Sequence, residues 1–249
     1  MADRVAMRRG PVRGQGVGRM PERFVPSRNG FVFANAWPSQ PAVALPTPFG
    51  TISVGDAAAG LCGGMTFAAL DYWQAGVVAP SDRPGTDDPL YGFIVHRLVD
   101  SWHVPAGVAQ YYQWTNLPDG DSAFTMFGRR ILIERGVSWR TIKIQWPQVS
   151  RDLDREVPVP LGVVTVASRD VRDLARNHQV LAYRYSSEGS RMTVHVYDPN
   201  RGRRDDIFIA FDKGHPTRPT RFEHNLGIGA GRVRGFFRAA YTPSRLPGG

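Results

Sequence analysis

Residues 60–73 read Gly-Leu-Cys-Gly-Gly-Met-Thr-Phe-Ala-Ala-Leu-Asp-Tyr-Trp and contain Cys62, the only cysteine of the 249-residue chain. Apolar residues follow it at the i, i+3, i+4 and i+7 spacing of a helix, at Met65, Ala68, Ala69 and Tyr72. The pattern predicts a helix that begins at Cys62, where unpaired N–H groups and the positive end of the helix dipole favour a thiolate. Two interpretations of Cys62 stay open at this point: a reactive thiol, or a buried packing residue, as free cysteines commonly are.

The composition is that of a globular protein. Hydrophobic residues make up 42% of the chain. No apolar run approaches the length of a membrane span, so we expect no membrane-spanning segment. One cysteine excludes an intramolecular disulfide framework and a Cys-rich zinc site. The net charge of +9 comes almost entirely from arginine and gives only non-specific attraction to nucleic acid, so no specific nucleic-acid partner is expected.

The chain divides into a short tail and one domain. Residues 1–23 are rich in arginine and glycine without apolar periodicity, which predicts a basic, disordered tail, with an electrostatic arm as the alternative. Residues 24–249 contain no linker that would force a second domain, so we predict a single domain there. The chain lacks the apolar central region of a secretory signal, which predicts a cytoplasmic protein or one exported without a cleavable signal peptide.

Helices are predicted in the first half of the domain. Residues 90–116 have helical spacing with a break near Pro105. A further helix is predicted over 122–136, because apolar residues recur there at helical spacing and Gly136 is a suitable stop. A short helix is expected over 147–156, and a short strand over 31–33.

Strands dominate the second half. Residues 157–166 are predicted to form a buried strand, and 178–185 and 192–198 a hairpin around the turn 186–190. Residues 207–211 and 234–241 are candidates for further strands. Helices followed by an antiparallel sheet predict an α+β fold.

Cys62, His178 and Asp198 form a candidate catalytic set. A histidine that opens a strand can deprotonate or ion-pair with a thiol, and an acid that ends the paired strand can orient its imidazole. No metal site is predicted, because His96 and His103, seven residues apart, lack a third ligand nearby. No cofactor is implied either.

These motifs, in this chain order, resemble those of the papain-like cysteine peptidase superfamily, and most closely its bacterial branch with bacteriocin-leader-processing peptidase domains. The matching pieces are residues 60–64, the strand 157–166, residues 177–182 and residues 196–200. The resemblance implies a papain-like fold, in which an N-terminal helical part carrying the cysteine helix packs on a C-terminal antiparallel sheet. It also implies Cys62 as nucleophile, His178 as base and Asp198 as orienting acid, with Asn200 as a substitute.

The chain departs from the family at the oxyanion region, in which the resemblance places Gly63 and Asp56. The family usually has a glutamine about six residues before the cysteine, and here that position is Asp56. An ionised carboxylate cannot donate a hydrogen bond to an oxyanion, although Asp56 could instead cap the helix. The Cys62 backbone N–H remains as a donor.

The resemblance implies a thiol-dependent hydrolase that cleaves peptide or amide bonds of a peptide or protein through a thioester. Two alternatives stay open: a catalytically silent papain-like module that binds peptides or proteins, and an effector toxin that uses the same triad for deamidation or acyl transfer. Asp56 favours the silent module over a peptidase, and the intact triad favours an enzyme. The sequence leaves the oligomeric state open.

Overall fold

The computed structural model describes residues 22–37, 43–47, 50–54, 61–103, 105–229 and 231–248. Nearly all of the predicted tail, residues 1–21, lies outside these ranges, as does Asp56.

The helices of the first half are α1 (Pro26–Asn29), α2 (Cys62–Gln74), α3 (Pro89–Trp102), α4 (Ala106–Asn116), α5 (Val137–Trp139), a π-helical turn (Arg140–Gln145) and α6 (Trp146–Asp154). They include a buried helix, α2, that packs against α1, α3 and the large sheet of the second half. The Asp88 carboxylate caps α3 by accepting from the Leu90 N–H at 2.7 Å, and Pro89 occupies the first turn. The predicted break near Pro105 is confirmed, because α3 ends before His103, which has a left-handed φ of 41°.

The strands form one large antiparallel sheet and two separate hairpins. They are β1 (Val43–Thr47), β2 (Gly50–Val54), β3 (Ser122–Met126), β4 (Arg129–Glu134), β5 (Val159–Val164), β6 (His178–Glu188), β7 (Arg191–Tyr197), β8 (Phe208–Asp212), β9 (Glu223–His224) and β10 (Gly235–Arg238). The large sheet has the order β10-β5-β6-β7-β8-β9, and β1-β2 and β3-β4 pair only with each other in the part of the chain described. A 3₁₀ helix, Val171–Arg176, precedes β6. The α+β prediction is confirmed.

Each face of the large sheet covers its own core. Leu181, Tyr183 and Tyr197 pack with residues of α2, α3 and α4. Val180 and Val196, on the opposite face, pack with α6 and its neighbours. The alternation follows from the two-residue period of a strand.

The large sheet is curled around the second core. The Phe211 ring on β8 and the Phe236 ring on β10 have centroids 5.6 Å apart, although four steps of the strand order separate these strands. In a flat sheet four steps of strand spacing would separate them by about 19 Å.

Helix α2 is buried from Cys62 to Trp73 and is held by close packing and by a buried ion pair. Gly64 has no room for a side chain, because an added Cβ would overlap the carbonyl oxygen of Ile94 on α3. Arg97 Nε of α3 lies 2.7 Å from Asp71 Oδ2. Asp71 Oδ1 also accepts from the Tyr241 hydroxyl at 2.6 Å and the Ser244 N–H at 3.0 Å, which ties the C-terminal segment to α2.

The helix predicted over 122–136 is wrong. The chain forms the hairpin β3–β4 there, with Phe127 and Gly128 in its two-residue turn. Both turn residues have positive φ, 51° and 73°, as a type I′ turn requires, and a helix cannot contain them. The short strand predicted over 31–33 is also wrong, since these residues form bends, yet the Phe31 side chain is fully buried in the first core.

Among the described residues, no helix is long and apolar enough to cross a membrane.

Candidate active site

Cys62 is the first residue of α2, as predicted, and its side chain lies at the junction of the helices with the sheet. Its residue surface is 7% exposed. Because Cys62 is the first helical residue, its backbone N–H has no intrahelical acceptor. The same position puts Cys62 at the positive end of the helix dipole. The preceding Leu61 N–H is held by the side-chain oxygen of Asn35 at 2.9 Å.

His178 and Asp198 form a buried pair on adjacent strands. His178 opens β6 and Asp198 follows β7, and His178 Nε2 lies 2.8 Å from Asp198 Oδ1. Asp198 also accepts backbone N–H groups from Asn200 at 2.9 Å and Gly227 at 2.7 Å. Burial by itself would raise the pKa of Asp198, but His178 and the two backbone donors hold that pKa below its ordinary value.

The imidazole of His178 is bonded to Asp198 and lies close enough to Cys62 for the thiol to affect its pKa. Because Asp198 bonds Nε2, Nδ1 is the ring nitrogen available to Cys62. Burial would lower the pKa of His178, but the charges and hydrogen bonds of Asp198 and Cys62 raise it to about 10. The site therefore favours an imidazolium at neutral pH.

Asn35 and Asn200 connect the two halves of this site. Asn35 Nδ2 donates to Asn200 Oδ1 at 2.9 Å, and the Asn35 N–H donates to the Pro199 carbonyl at 2.9 Å. Asn200 Nδ2 in turn donates to the Gly227 carbonyl at 2.8 Å. The side chain of Asn200, predicted as a substitute for Asp198, is thus bonded to Asn35 and Gly227 while Asp198 holds His178.

Gly63, predicted in the oxyanion region, packs closely against α3 and β6. An added Cβ would overlap Ser101 Oγ and lie 2.9 Å from Gln179 Nε2. Gln179 Nε2 donates to Ser101 Oγ at 3.2 Å, which fixes β6 to α3 below the start of α2. Sequence reasoning missed Asn35, Ser101 and Gln179 as parts of the site, although Gln179 directly follows His178 in the quoted segment 177–182.

A small cavity adjoins the thiol. Its volume is about 10 Å³, room for roughly one water molecule. It is lined by Cys62, Leu98, Trp102, Tyr111, Leu174, Ala175, Asn177 and Gln179. Gln179, one of these lining residues, has a buried Oε1 without a hydrogen-bond partner among the described residues, and this oxygen is available to a water or a substrate group.

A larger cleft, about 390 Å³, lies away from the thiol between α3 and the C-terminal segment. The charged side chains that line it, Arg97 and Asp100, are already paired with each other at 2.6 Å. Neither Arg97 nor Asp100 is therefore an unpaired charge offered to a ligand in this cleft.

Within the described ranges, no three His, Cys, Asp or Glu side chains are grouped as ligands of a metal ion. No family model, no curated protein and no solved structure matches this chain. The interpretation of the site thus depends on its own geometry.

Proposed function

We propose that this chain is a thiol-dependent hydrolase of peptide or amide bonds, with a papain-like arrangement of Cys62, His178 and Asp198. One observation carries the proposal: a buried imidazole, bonded to a carboxylate 2.8 Å from its Nε2, lies close enough to the thiol at the start of a helix for the thiol to affect its pKa. Three parts of the sequence, 62, 178 and 198, converge in this geometry. A packing cysteine requires neither the histidine nor the carboxylate.

The first half of the reaction makes a thioester. The Cys62 thiolate attacks the carbonyl carbon, a C–S bond forms, and the carbonyl oxygen takes the negative charge. The imidazolium of His178 donates its Nδ1 proton to the amide nitrogen as the C–N bond breaks, and the amine leaves. Asp198 keeps the ring in orientation and stabilises its charge.

The second half regenerates the enzyme. His178, now neutral, accepts a proton from water, whose oxygen attacks the thioester carbon. The C–S bond breaks, the carboxylic acid leaves, and the thiolate and imidazolium are restored. An amine in place of water would give acyl transfer, and a glutamine side-chain amide as substrate would give deamidation.

The carbonyl oxygen that becomes negatively charged during the attack, the oxyanion, requires hydrogen-bond donors close to Cys62. The Cys62 N–H at the start of α2 has no intrahelical acceptor, which suits it to this role. Loss of a single donor typically costs about 10²–10³ in kcat, so a side-chain carboxylate at position 56 would slow an enzyme of this kind without abolishing its activity.

The burial of the thiol favours a second candidate, a catalytically silent peptide- or protein-binding module. Cys62 is 7% exposed and His178 4% exposed, and the adjoining cavity holds only about one water molecule. A substrate would have to open this site before attack, whereas a binding module would not need to open it.

A panel of peptidyl amides with a fluorescent leaving amine tests the proposal. The wild-type chain should release the amine and accumulate a thioester that hydroxylamine cleaves, and Cys62→Ala should do neither. Peptide binding without amine release or thioester would support the silent module and contradict the hydrolase.

A further inference from the structure

The hairpin β3–β4 projects from the domain, and no other element of the described ranges pairs with it. Residues 124–129 and 131–134 are all exposed. An isolated two-stranded hairpin is at best marginally stable in water. A hairpin of this kind gains stability when something else covers it.

One face of the hairpin is mostly apolar. The register pairs Phe124 with Ile131 and Met126 with Arg129, so these four side chains share a face. Phe124, Met126 and Ile131 are 46%, 47% and 36% exposed. Contiguous apolar groups of this kind mark an interaction surface, unlike single exposed hydrophobic residues.

Apolar groups are also exposed at the tip and on the second face. Phe127, in the turn, is 93% exposed. Leu132 pairs with Ala123 on the opposite face and is 43% exposed. A protein surface would cover one face of such a hairpin, whereas a lipid interface can surround the tip and both faces.

The charge around the apolar face indicates which surface it fits. Arg129 lies beside Met126 on that face, and Arg130 follows it, while Glu134 is the only acidic residue from 124 to 145. A second copy of the chain would bring a net charge of +9 and bury Arg129 in an apolar contact. Anionic lipid headgroups would pair with Arg129 while the apolar side chains enter the interface.

We propose that the hairpin Ser122–Glu134 is a docking arm for an anionic membrane surface. Phe124, Met126, Phe127 and Ile131 enter the boundary between headgroups and acyl chains, and Arg129 binds lipid phosphates. This role is independent of the proposed hydrolase activity, because it uses none of the residues at Cys62.

Co-sedimentation with vesicles tests the docking arm. The full chain should bind vesicles of mixed phosphatidylcholine and phosphatidylglycerol and bind pure phosphatidylcholine weakly. The double variant Met126→Ser/Phe127→Ser should lose roughly tenfold or more in partitioning, because two large apolar side chains no longer enter the interface. The matched control is Val78→Ser, a change at a residue 69% exposed in the loop between α2 and α3, which should bind as the wild type does.

A local readout separates the hairpin from the arginines of residues 1–23, which also attract anionic vesicles. Phe127→Cys in a Cys62→Ser background carries an environment-sensitive fluorophore at the tip, and its emission should shift to the blue on vesicle addition. Unchanged emission at saturating vesicle, or wild-type binding by the double serine variant, would overturn the proposal. A concentration-dependent dimer lost in that variant would assign the face to a second copy and overturn it as well.

Discussion

Asn35 donates a hydrogen bond from Nδ2 to Oδ1 of Asn200 at 2.9 Å, across 165 residues of sequence. The same Asn35 side chain accepts from the N–H of Leu61, the residue before Cys62. Asn200 for its part donates its backbone N–H to Asp198. One amide side chain therefore sets the position of the cysteine helix relative to the carboxylate that holds His178, and we assign Asn35 a positioning role.

Asn35→Ala should slow alkylation of Cys62 roughly tenfold and destabilise the fold by about 0.5–1.5 kcal/mol, because the variant removes two partly buried hydrogen bonds. The measurements are the pH profile of alkylation and denaturant unfolding. The control is Asn116→Ala, which removes one exposed hydrogen bond to the Tyr112 carbonyl at the end of α4. If Asn35→Ala lost stability but kept the wild-type pH profile, Asn35 would be merely structural.

Asp198→Asn should lower the pKa of His178 from about 10, because the change removes the carboxylate whose charge favours the imidazolium. A histidine pKa raised from 6.5 stabilises the fold fully below about pH 6.5, and this stabilisation is lost as the pH rises towards 10. The free energy of unfolding of the wild type should thus fall between these values, and it should fall less in the variant. NMR titration of the His178 ring and unfolding at several pH values check both statements. If His178 titrated at the same pH in both proteins, Asp198 would not be the group that raises the pKa of His178.

Gly64→Ala should destabilise the protein by at least about 1–3 kcal/mol, since overpacking a close helix contact forces backbone shifts. The added Cβ would overlap the Ile94 carbonyl oxygen. Gly92→Ala is the matched control within α3, where an added Cβ meets no atom within 4 Å. That change should stabilise the protein by about 0.5–1 kcal/mol through helix propensity. Thermal unfolding should show a lower midpoint for Gly64→Ala and a higher midpoint for Gly92→Ala than for the wild type.

Arg97→Met should cost about 3–5 kcal/mol of stability, because it leaves the buried Asp71 carboxylate without its cation. Arg97 and Asp71 side chains are 3% and 0% exposed. Arg172→Met, at the solvent-exposed pair with Asp170, is the control and should leave the unfolding midpoint unchanged. Equal effects of the two variants would show that the Arg97–Asp71 pair is not important for stability.

The sequence predicted the order of helices and strands where local pattern decides it. Strong periodicity indicated the helix that begins at Cys62. Clear turn residues indicated the break near Pro105 and the turn of the hairpin β6–β7. The segment 122–136 misled the prediction because its apolar residues fit two periods: Phe124, Phe127 and Ile131 fit a helix, and Phe124 with Met126 fits a strand. The glycine after Phe127 permits the turn that decides between them.

The candidate site was predictable only in part. Cys62, His178 and Asp198 were proposed from their places at the starts and ends of elements, and the structure brings all three together. Asn35 and Gln179 act through contacts between loops and elements distant in sequence, which leave no periodic signal. Asp56 lies outside the described residues, so its predicted place in the oxyanion region stays a prediction.

The most direct test of the proposed thiolate–imidazolium pair is the pH dependence of Cys62 alkylation by iodoacetamide, followed by intact-mass spectrometry. With one cysteine in the chain, every adduct is at Cys62. We predict fast labelling well below pH ~8.5, the pKa of an ordinary thiol, and its loss in folded His178→Ala. Labelling that follows an ordinary thiol, or that occurs only after unfolding, would contradict the account and leave Cys62 as a packing residue.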